Sequence, residues 1–212
     1  MGTIKKGIIG GFSGKVGPVT GSSWKGKPYM KARPEKMTNP RSPGQLDHRG
    51  RFTAAIRFLS PMKKFLGAGF TEMAVDKTAF NAAMAWNYRH AVMGAYPDFS
   101  IDYSRVLVSQ GTLAGAWNPE VRASDGQIHF SWQNNADNME VMDSDKALLL
   151  IYNAARQKTI FVMGGNTRDS GSQSVDLPDL FIGDVVHCYI AFQSSDETAA
   201  STSQWVGSIV AN

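Results

Sequence analysis

Residues 101–212 contain short β-type runs separated by turn signals about every ten residues, and this spacing constrains the fold more than any other feature. Asp125-Gly126, Gly164-Gly165 and Gly183-Asp184 are turn sequences that separate several of the runs. Such spacing is typical of an antiparallel β-sandwich, in which two sheets bury their inner faces against each other. The seven predicted strands are Ser104–Val108, Ile128–Gln133, Ala147–Tyr152, Thr159–Met163, Ser172–Leu177, Val185–Gln193 and Gln204–Val210.

The composition supports a packed core for these strands. The chain has 212 residues, of which 42% are apolar and five are Trp, so it suits one sizeable domain or two small ones. Trp132 on an early strand and Tyr189 on a late strand are expected in or near the core. The predicted fold class is α+β, mainly β. The seven-stranded sandwich resembles immunoglobulin and fibronectin type III modules in strand spacing, an analogy of architecture that implies no function.

Helices are predicted before the strands. Ser42 suits an N-cap, Pro43 the first helical position, and Gln45 the third position after the cap. Apolar residues then recur at helical spacing until just before Pro61, which is expected to end the helix. A second helix is predicted over residues 71–92, and a short link would make the two helices a helical hairpin.

Residues 1–36 are predicted to form a glycine-rich β-ribbon. Short β-type runs, one of them Ile8-Ile9, alternate with glycines, and residues 24–29 suit a hairpin turn flanked by aromatic side chains. An isolated hairpin is marginal in water, so the ribbon is expected to lie on another surface. The predicted domains are therefore a basic ribbon with a helical hairpin at residues 1–97 and an acidic β-sandwich at residues 98–212.

Charge is distributed unevenly along the chain. Residues 1–64 contain 14 Lys/Arg and two acids, Glu35 and Asp47, for a formal charge of +12. The remaining 148 residues contain 8 Lys/Arg and 16 Asp/Glu, for a formal charge of −8. A basic segment binds polyanions, and the acidic part of a neighbouring copy is one such partner.

No sequence motif predicts a catalytic, metal or cofactor site. Residues 21–27 match the pattern G-x-x-x-x-G-K, but Pro28 stands where a phosphate-binding loop needs Ser or Thr, and a strand rather than a helix follows. Cys188 lies between apolar strand residues and is predicted to be a buried filler rather than a nucleophile. Asp143 and Asp145 are interpreted as part of a solvated turn. The histidines lack metal-ligand spacing and are predicted to be structural or solvated: His48, His90, His129 and His187.

The basic segment has three interpretations. It can bind nucleic acid through phosphate contacts and aromatic stacking, it can be a solvated face, or it can drive self-assembly by contacting the acidic part of the next copy. The charge asymmetry favours self-assembly, because a nucleic-acid-binding protein gains nothing from an acidic second domain. The predicted contact residues are Lys15, Trp24, Lys25, Lys27, Tyr29, Lys31, Arg33, Arg49 and Arg51.

The leading hypothesis is a non-enzymatic, self-assembling structural subunit of a filament, tube or virion-like particle, built by head-to-tail contacts between copies. The alternative is a nucleic-acid-binding protein that uses the same segment. A carbohydrate- or protein-binding module that uses Trp117, Trp132 or Trp205 ranks third, and an enzyme ranks last.

Targeting signals are not apparent in the sequence. The basic N-terminus lacks the apolar run of a signal peptide, and no apolar stretch reaches the ~20 residues of a membrane-spanning helix. The single cysteine excludes an intrachain disulfide. A soluble protein of cytoplasmic synthesis, with no membrane partner and an open final location, is expected.

The basic segment and the residues that follow it resemble a Bacteroidetes family of small proteins of unknown function. Its signature, SGKVG-x-V-x-GSSWKG-x-x-YM-(K/R), matches Ser13–Gly17, Gly21–Gly26 and Tyr29–Lys31. A second motif of the family matches Asn39, Pro40, Gln45, Leu46, Arg49 and Phe52, and the later Gly115–Val121 and Asp176–Phe192 resemble its C-terminal half. The resemblance implies a bacterial source and a shared architecture, and it supplies no catalytic residues. The basic motif also resembles small structural proteins of phage-like gene clusters.

Overall fold

The structure is a computed structural model that describes residues 2–4, 7, 10–24, 27–34, 36, 39, 41–136 and 141–212. Of the described residues, 40% lie in strands and 24% in helices, which confirms a mainly β protein. The chain divides into two compact units, Met1–Ser42 and Pro43–Asn212. The boundary predicted after residue 97 lies inside the second unit, because the helices there share a hydrophobic cluster with strands that follow them.

The first unit is a four-stranded antiparallel sheet, here called the ribbon. Its strands pair in chain order, and Gly17 adopts a φ of +55° in the two-residue loop between the second and third, a conformation that favours glycine. The third and fourth strands pair from Val19–Ala32 to Trp24–Lys27, which confirms the predicted hairpin. The predicted run Ile8-Ile9 lies outside the described residues. The strands are β1 (Thr3–Ile4), β2 (Phe12–Val16), β3 (Val19–Trp24) and β4 (Lys27–Ala32).

The second unit begins with three helices, α1 (Pro43–Leu59), α2 (Lys63–Gly69) and α3 (Ala79–His90). The first helix begins and ends as predicted. The single helix predicted over residues 71–92 is wrong at its N-terminal end, because the Thr78 hydroxyl accepts the Asn81 N–H at 3.2 Å and so caps α3 there.

Gly67 and Gly69 do not end the helical region. They belong to α2, and Gly69 is buried against residues 108–109, where an added Cβ would lie 2.6 Å from the Val108 carbonyl oxygen. Glycine is required here for a close approach rather than for a helix break. The predicted two-helix hairpin is therefore a three-helix segment.

A two-stranded hairpin that the sequence did not predict follows the helices. Its strands are β5 (Val92–Ala95) and β6 (Asp98–Ile101), which pair antiparallel. An added Cβ at Gly50 of α1 would lie 2.5 Å from the ring of Phe99 on β6, so this glycine lets the hairpin approach the helix closely.

Two further antiparallel sheets contain the remaining strands. One has the order β10-β9-β12-β13 and the other the order β11-β8-β7. The strands are β7 (Trp117–Ser124), β8 (Gln127–Gln133), β9 (Lys146–Asn153), β10 (Lys158–Val162), β11 (Ser172–Asp176), β12 (Val185–Gln193) and β13 (Gln204–Val210).

Six of the seven predicted strands are present, and the first prediction is wrong. Residues 104–108 do not form a strand, because the Asp102 carboxylate accepts the Ser104 N–H and caps a short 3-10 helix over Tyr103–Arg105. The missed strand is β7, in which Pro119 stands at a register shift beside Trp117. Proline is tolerated at a bulge in an edge strand, so its presence did not exclude a strand here.

Strands β9 and β12 separate two hydrophobic clusters. Alternate residues of β9, such as Leu148 and Leu150, pack with the helices, whereas Leu149 and Ile151 pack with residues of the three-stranded sheet. A strand buried on both faces reads as a continuous apolar run, as β9 does. The predicted core residues are both buried, but Tyr189 belongs to the first cluster and Trp132 to the second.

Candidate functional site

One face of the ribbon carries most of the predicted contact residues. Paired residues of neighbouring strands share a face, and side chains alternate along each strand. Lys15 pairs with Thr20, which pairs with Lys31, while Ser22 pairs with Tyr29 and Trp24 with Lys27. All five predicted residues are exposed, Trp24 by 67% and Tyr29 by 43%. This cationic face is defined by Lys15, Trp24, Lys27, Tyr29 and Lys31.

The opposite face of the ribbon is apolar. Phe12 lies over Gly21, where an added Cβ would be 2.5 Å from its ring, and Val16 pairs with Val19. Val16 is 54% exposed and Met30 is 70% exposed. A single sheet with two open faces buries little apolar surface. The exposed side chains of the ribbon are therefore more typical of a binding surface than of a domain with its own hydrophobic core. This apolar face comprises Phe12, Val16, Val19, Met30 and Ala32.

The other predicted contact residues lie elsewhere. Arg33 is exposed directly after β4, and its backbone N–H donates to the Pro18 carbonyl at 2.7 Å. Lys25 lies outside the described residues. Arg49 and Arg51 belong to α1, in the second unit.

Arg51 is engaged within its own unit. Its guanidinium donates to the Val92 carbonyl at 2.6 Å and lies 5.4 Å from the centre of the Tyr88 ring. It thereby joins α1 to β5 and α3. Arg49, by contrast, is exposed.

Arg49 lines an open groove between α1 and α3, here called the helix groove, with a volume of about 820 Å³. Phe52, which is 52% exposed, and Met84 are among its apolar residues. His48 Nδ1 and the Tyr88 hydroxyl are hydrogen-bonded at 2.6 Å, and their rings stack. The lining residues are His48, Arg49, Phe52, Thr53, Asn81, Met84, Ala85, Tyr88 and Arg89, and none of them is acidic.

Sequence reasoning did not find this groove. The signal available was the helical spacing of Ala85 and Arg89, which places both on one side of α3. That the same side faces Arg49 and Phe52 follows from the packing of α1 against α3, which no local pattern encodes.

The structure also reveals a buried guanidinium. Arg168 is fully buried, donates to Asn135 Oδ1 at 2.6 Å and to Asp145 Oδ2 at 3.3 Å, and lies 3.9 Å from the centre of the Phe192 ring. Burial lowers the pKa of Arg168, and the Asp145 carboxylate opposes that shift. The interpretation of Asp145 as part of a solvated turn is therefore wrong, since the residue is 2% exposed.

The single cysteine and the two histidines on strands occupy structural positions. Cys188 is fully buried, and this burial raises its pKa to about 12, so the thiol is protonated at neutral pH. The imidazole of His187 stacks on the Tyr103 ring, with 3.7 Å between the ring centres, and burial lowers the pKa of His187. His129 bonds the Ser124 and Ser174 hydroxyls at 2.8 and 2.7 Å.

The described ranges contain neither a cluster of metal ligands nor a membrane-spanning helix. No group of three or more His, Cys, Asp or Glu side chains there is arranged to hold a metal ion. No helix in the same ranges is both long enough and apolar enough to cross a membrane. Of the third-ranked candidates for a binding surface, Trp132 is buried, whereas Trp117 and Trp205 are exposed by 58% and 38%.

Comparison with curated proteins gives no match. Residues 11–207, which include most of the ribbon and nearly all of the second unit, match a family described as a family of unknown function, DUF6266. The predicted resemblance to a family of unknown function is thereby confirmed at this level, and the chain belongs to the DUF6266 family.

Proposed function

We propose that this protein is a non-enzymatic structural subunit that assembles with copies of itself into a filament, tube or virion-like particle. The observation that carries the proposal is the two-faced ribbon. Its cationic face collects five of the predicted contact residues on one side of a sheet. Its apolar face leaves Val16 and Met30 exposed.

Charge supports a copy of the same chain as the partner. Residues 1–42 contain nine Lys/Arg and a single acid, Glu35, whereas the second unit, residues 43–212, contains 13 Lys/Arg and 17 Asp/Glu. The ribbon of one copy and the acidic second unit of another therefore attract each other. A contact between two different surfaces is head-to-tail, and it produces rings or open filaments.

Nucleic-acid binding is the second candidate, and the cationic face favours it as well. Lys15, Lys27 and Lys31 can contact phosphates, while Trp24 and Tyr29 can stack on bases. The apolar face favours the first candidate, because Val16 and Met30 provide surface for a protein partner and nothing for a phosphate backbone.

The packing of the two larger sheets and the biological source of the protein are also proposals. We propose that the four- and three-stranded sheets form a seven-stranded sandwich like that of immunoglobulin and fibronectin type III modules. Ile128 and Phe130 of one sheet and Leu149 and Ile190 of the other share one cluster, which supports this arrangement. We also propose a Bacteroidetes source and a phage-like gene cluster for this protein, and both proposals rest on the N-terminal signature alone.

Charge reversal on the cationic face tests the proposed assembly. The variant Lys15→Glu/Lys27→Glu/Lys31→Glu should remain monomeric where the wild-type chain forms large particles, because the ribbon would then repel the acidic unit. The measurement is size-exclusion chromatography with light scattering and negative-stain electron microscopy, at low and high salt after nuclease treatment.

A matched control changes the same amount of charge elsewhere. Lys63→Glu/Lys64→Glu/Lys77→Glu alters three exposed lysines of the second unit, makes that unit more acidic, and should assemble at least as well as the wild type. Wild-type assembly by the ribbon variant would refute the proposal. A wild-type monomer that shifts only when DNA or RNA is added, with steep salt dependence, would favour the second candidate.

A further inference from the structure

The lining of the helix groove is complementary to a partner surface that is both apolar and acidic. Its apolar part includes Phe52, Met84 and the Tyr88 ring, and Arg49 and Arg89 are exposed at its edge. With no acid in the lining, the groove has an unbalanced positive charge. A volume of about 820 Å³ is also large enough for several side chains of a partner.

The cationic face of the ribbon is a poor occupant of this groove. It has the same sign of charge as Arg49 and Arg89, so their approach is electrostatically unfavourable. The cationic face and the helix groove therefore suit different acidic partners or different parts of one acidic partner.

The second unit itself presents a segment with the required chemistry. Leu180 and Ile182 are exposed by 45% and 43%, and Asp176 and Asp179 are exposed carboxylates in the same segment. Val185, the first residue of β12, is 48% exposed and extends the apolar surface. We call residues 176–185 the acidic segment.

The acidic segment is held in place by its buried residues and backbone. Phe181 is 2% exposed and Leu177 is 8% exposed, so both anchor the segment in the second cluster. The Leu177 N–H donates to the Gly126 carbonyl at 2.8 Å, and the Gly183 N–H donates to the Ala211 carbonyl at 2.7 Å. A segment anchored at both ends presents Leu180 and Ile182 with little loss of conformational entropy on binding.

The charge of the segment is only partly cancelled within its own unit. Asp184 pairs with Arg156 at 2.6 Å. Asp176 accepts only a neutral amide, from Gln127 Nε2 at 2.6 Å, among the hydrogen bonds described for its side chain. Asp125 lies in the turn whose Gly126 accepts the Leu177 N–H, and adds negative charge nearby.

We infer that the acidic segment of one copy docks in the helix groove of the next copy. Leu180 and Ile182 would contact Phe52 and Met84, while the carboxylates would face the groove arginines. This inference rests on the proposed self-assembly and adds a second contact to that of the ribbon. Both surfaces belong to residues 43–212, so the contact is head-to-tail and can repeat from copy to copy.

Charge exchange between the two surfaces tests the inference in the full chain. The groove variant Arg49→Glu/Arg89→Glu and the segment variant Asp176→Lys/Asp179→Lys should each raise the concentration for half-maximal assembly at least about tenfold. The chain that combines all four substitutions should return to within about threefold of the wild type, because the charges are again opposite. Assembly is measured by sedimentation velocity over a concentration series.

Two further variants distinguish a loss of docking from a loss of folding. Arg57→Glu/Arg105→Glu makes the same charge change at exposed arginines outside the groove lining and should assemble as the wild type does. Phe52→Ala removes an exposed apolar side chain and should weaken assembly with little change in melting temperature.

The remaining outcomes distinguish this inference from the proposed function. If both charge variants assemble normally while the ribbon variant does not, the groove contact is refuted and the ribbon contact stands. If both variants fail, stay folded, and are not rescued by combination, the two surfaces do not face each other and the inference is refuted. A wild-type chain that stays monomeric at high concentration refutes both.

Discussion

At the scale of single residues, Arg168 is a buried charge that joins several segments of the second unit. It is fully buried and forms hydrogen bonds to the Ala114 and Gly115 carbonyls, at 3.0 and 3.1 Å, as well as to Asn135 and Asp145. Desolvating a guanidinium costs several kcal/mol, which these partners must offset. The chain segments before β7, before β9 and before β11 are thereby held around one charge.

Replacing Arg168 should therefore destabilise the protein strongly. Arg168→Met leaves the Asp145 carboxylate and two carbonyls buried without their donor, and we expect a loss of about 3–5 kcal/mol in the free energy of unfolding. The measurement is denaturant unfolding followed by tryptophan fluorescence.

The exposed pair between Arg122 and Glu120 provides the control. Its side chains are 80% and 64% exposed, so Arg122→Met should cost less than about 1 kcal/mol. Similar losses for the two variants would contradict the role given to Arg168. Adding Asp145→Asn to Arg168→Met should recover part of the loss, because it removes the uncompensated carboxylate.

At the scale of elements, the ribbon and the central strands differ in how many of their faces are buried. β9 is buried on both faces between two clusters, whereas the described residues of the first unit form the ribbon sheet without a second layer. Its close contacts are made by small residues, as where Phe12 covers Gly21. A single methyl group added at such a position would therefore push neighbouring strands of the ribbon apart.

Gly21→Ala should disrupt the ribbon and leave the second unit intact. The new Cβ would lie 2.3 Å from the Phe12 carbonyl oxygen and 2.5 Å from its ring, so β2 and β3 must separate, at a cost of about 1–3 kcal/mol. Hydrogen exchange should show lost amide protection over residues 12–32 and unchanged protection in β9 and β12. Gly44→Ala is the control, because an added Cβ there meets no atom within 4 Å; unchanged protection in both variants would contradict the close packing.

At the scale of the whole molecule, the two units differ in their capacity to fold alone. The residues of both hydrophobic clusters lie between Ala54 and Ala211, and none belongs to the ribbon. The division after Ser42 therefore separates the ribbon from a unit with its own core.

A chain that begins at Pro43 should fold independently. We expect its melting temperature, measured by circular dichroism, to lie within about 3 °C of the full chain, because no buried cluster residue is removed. A chain that begins at Pro61 lacks Phe58 and Leu59, which are 3% and 0% exposed, and should not fold. Unfolding of the longer fragment would show that the ribbon contributes to the core.

Several elements could be predicted because their signals are local. Ser42 and Pro43 mark the start of α1, and short β-type runs with turn signals between several of them mark β8 through β13. Residues 104–108 were mistaken for a strand because the Asp102 cap is a side-chain effect that competes with β-propensity. β7 was missed from the sequence, and only its pairing with β8 shows that Pro119 lies at a bulge in a strand.

The sequence by itself determined the charge asymmetry, the strand periods and the hairpin at residues 24–27. Those features already place Lys15, Lys31 and Tyr29 on one face, since alternation and hairpin pairing follow from neighbours along the chain. The tertiary structure alone decided the helix groove and the Arg168 network. Their members lie tens of residues apart, as Arg49 and Arg89 or Ala114 and Arg168 do, and only the packing of the core brings them together.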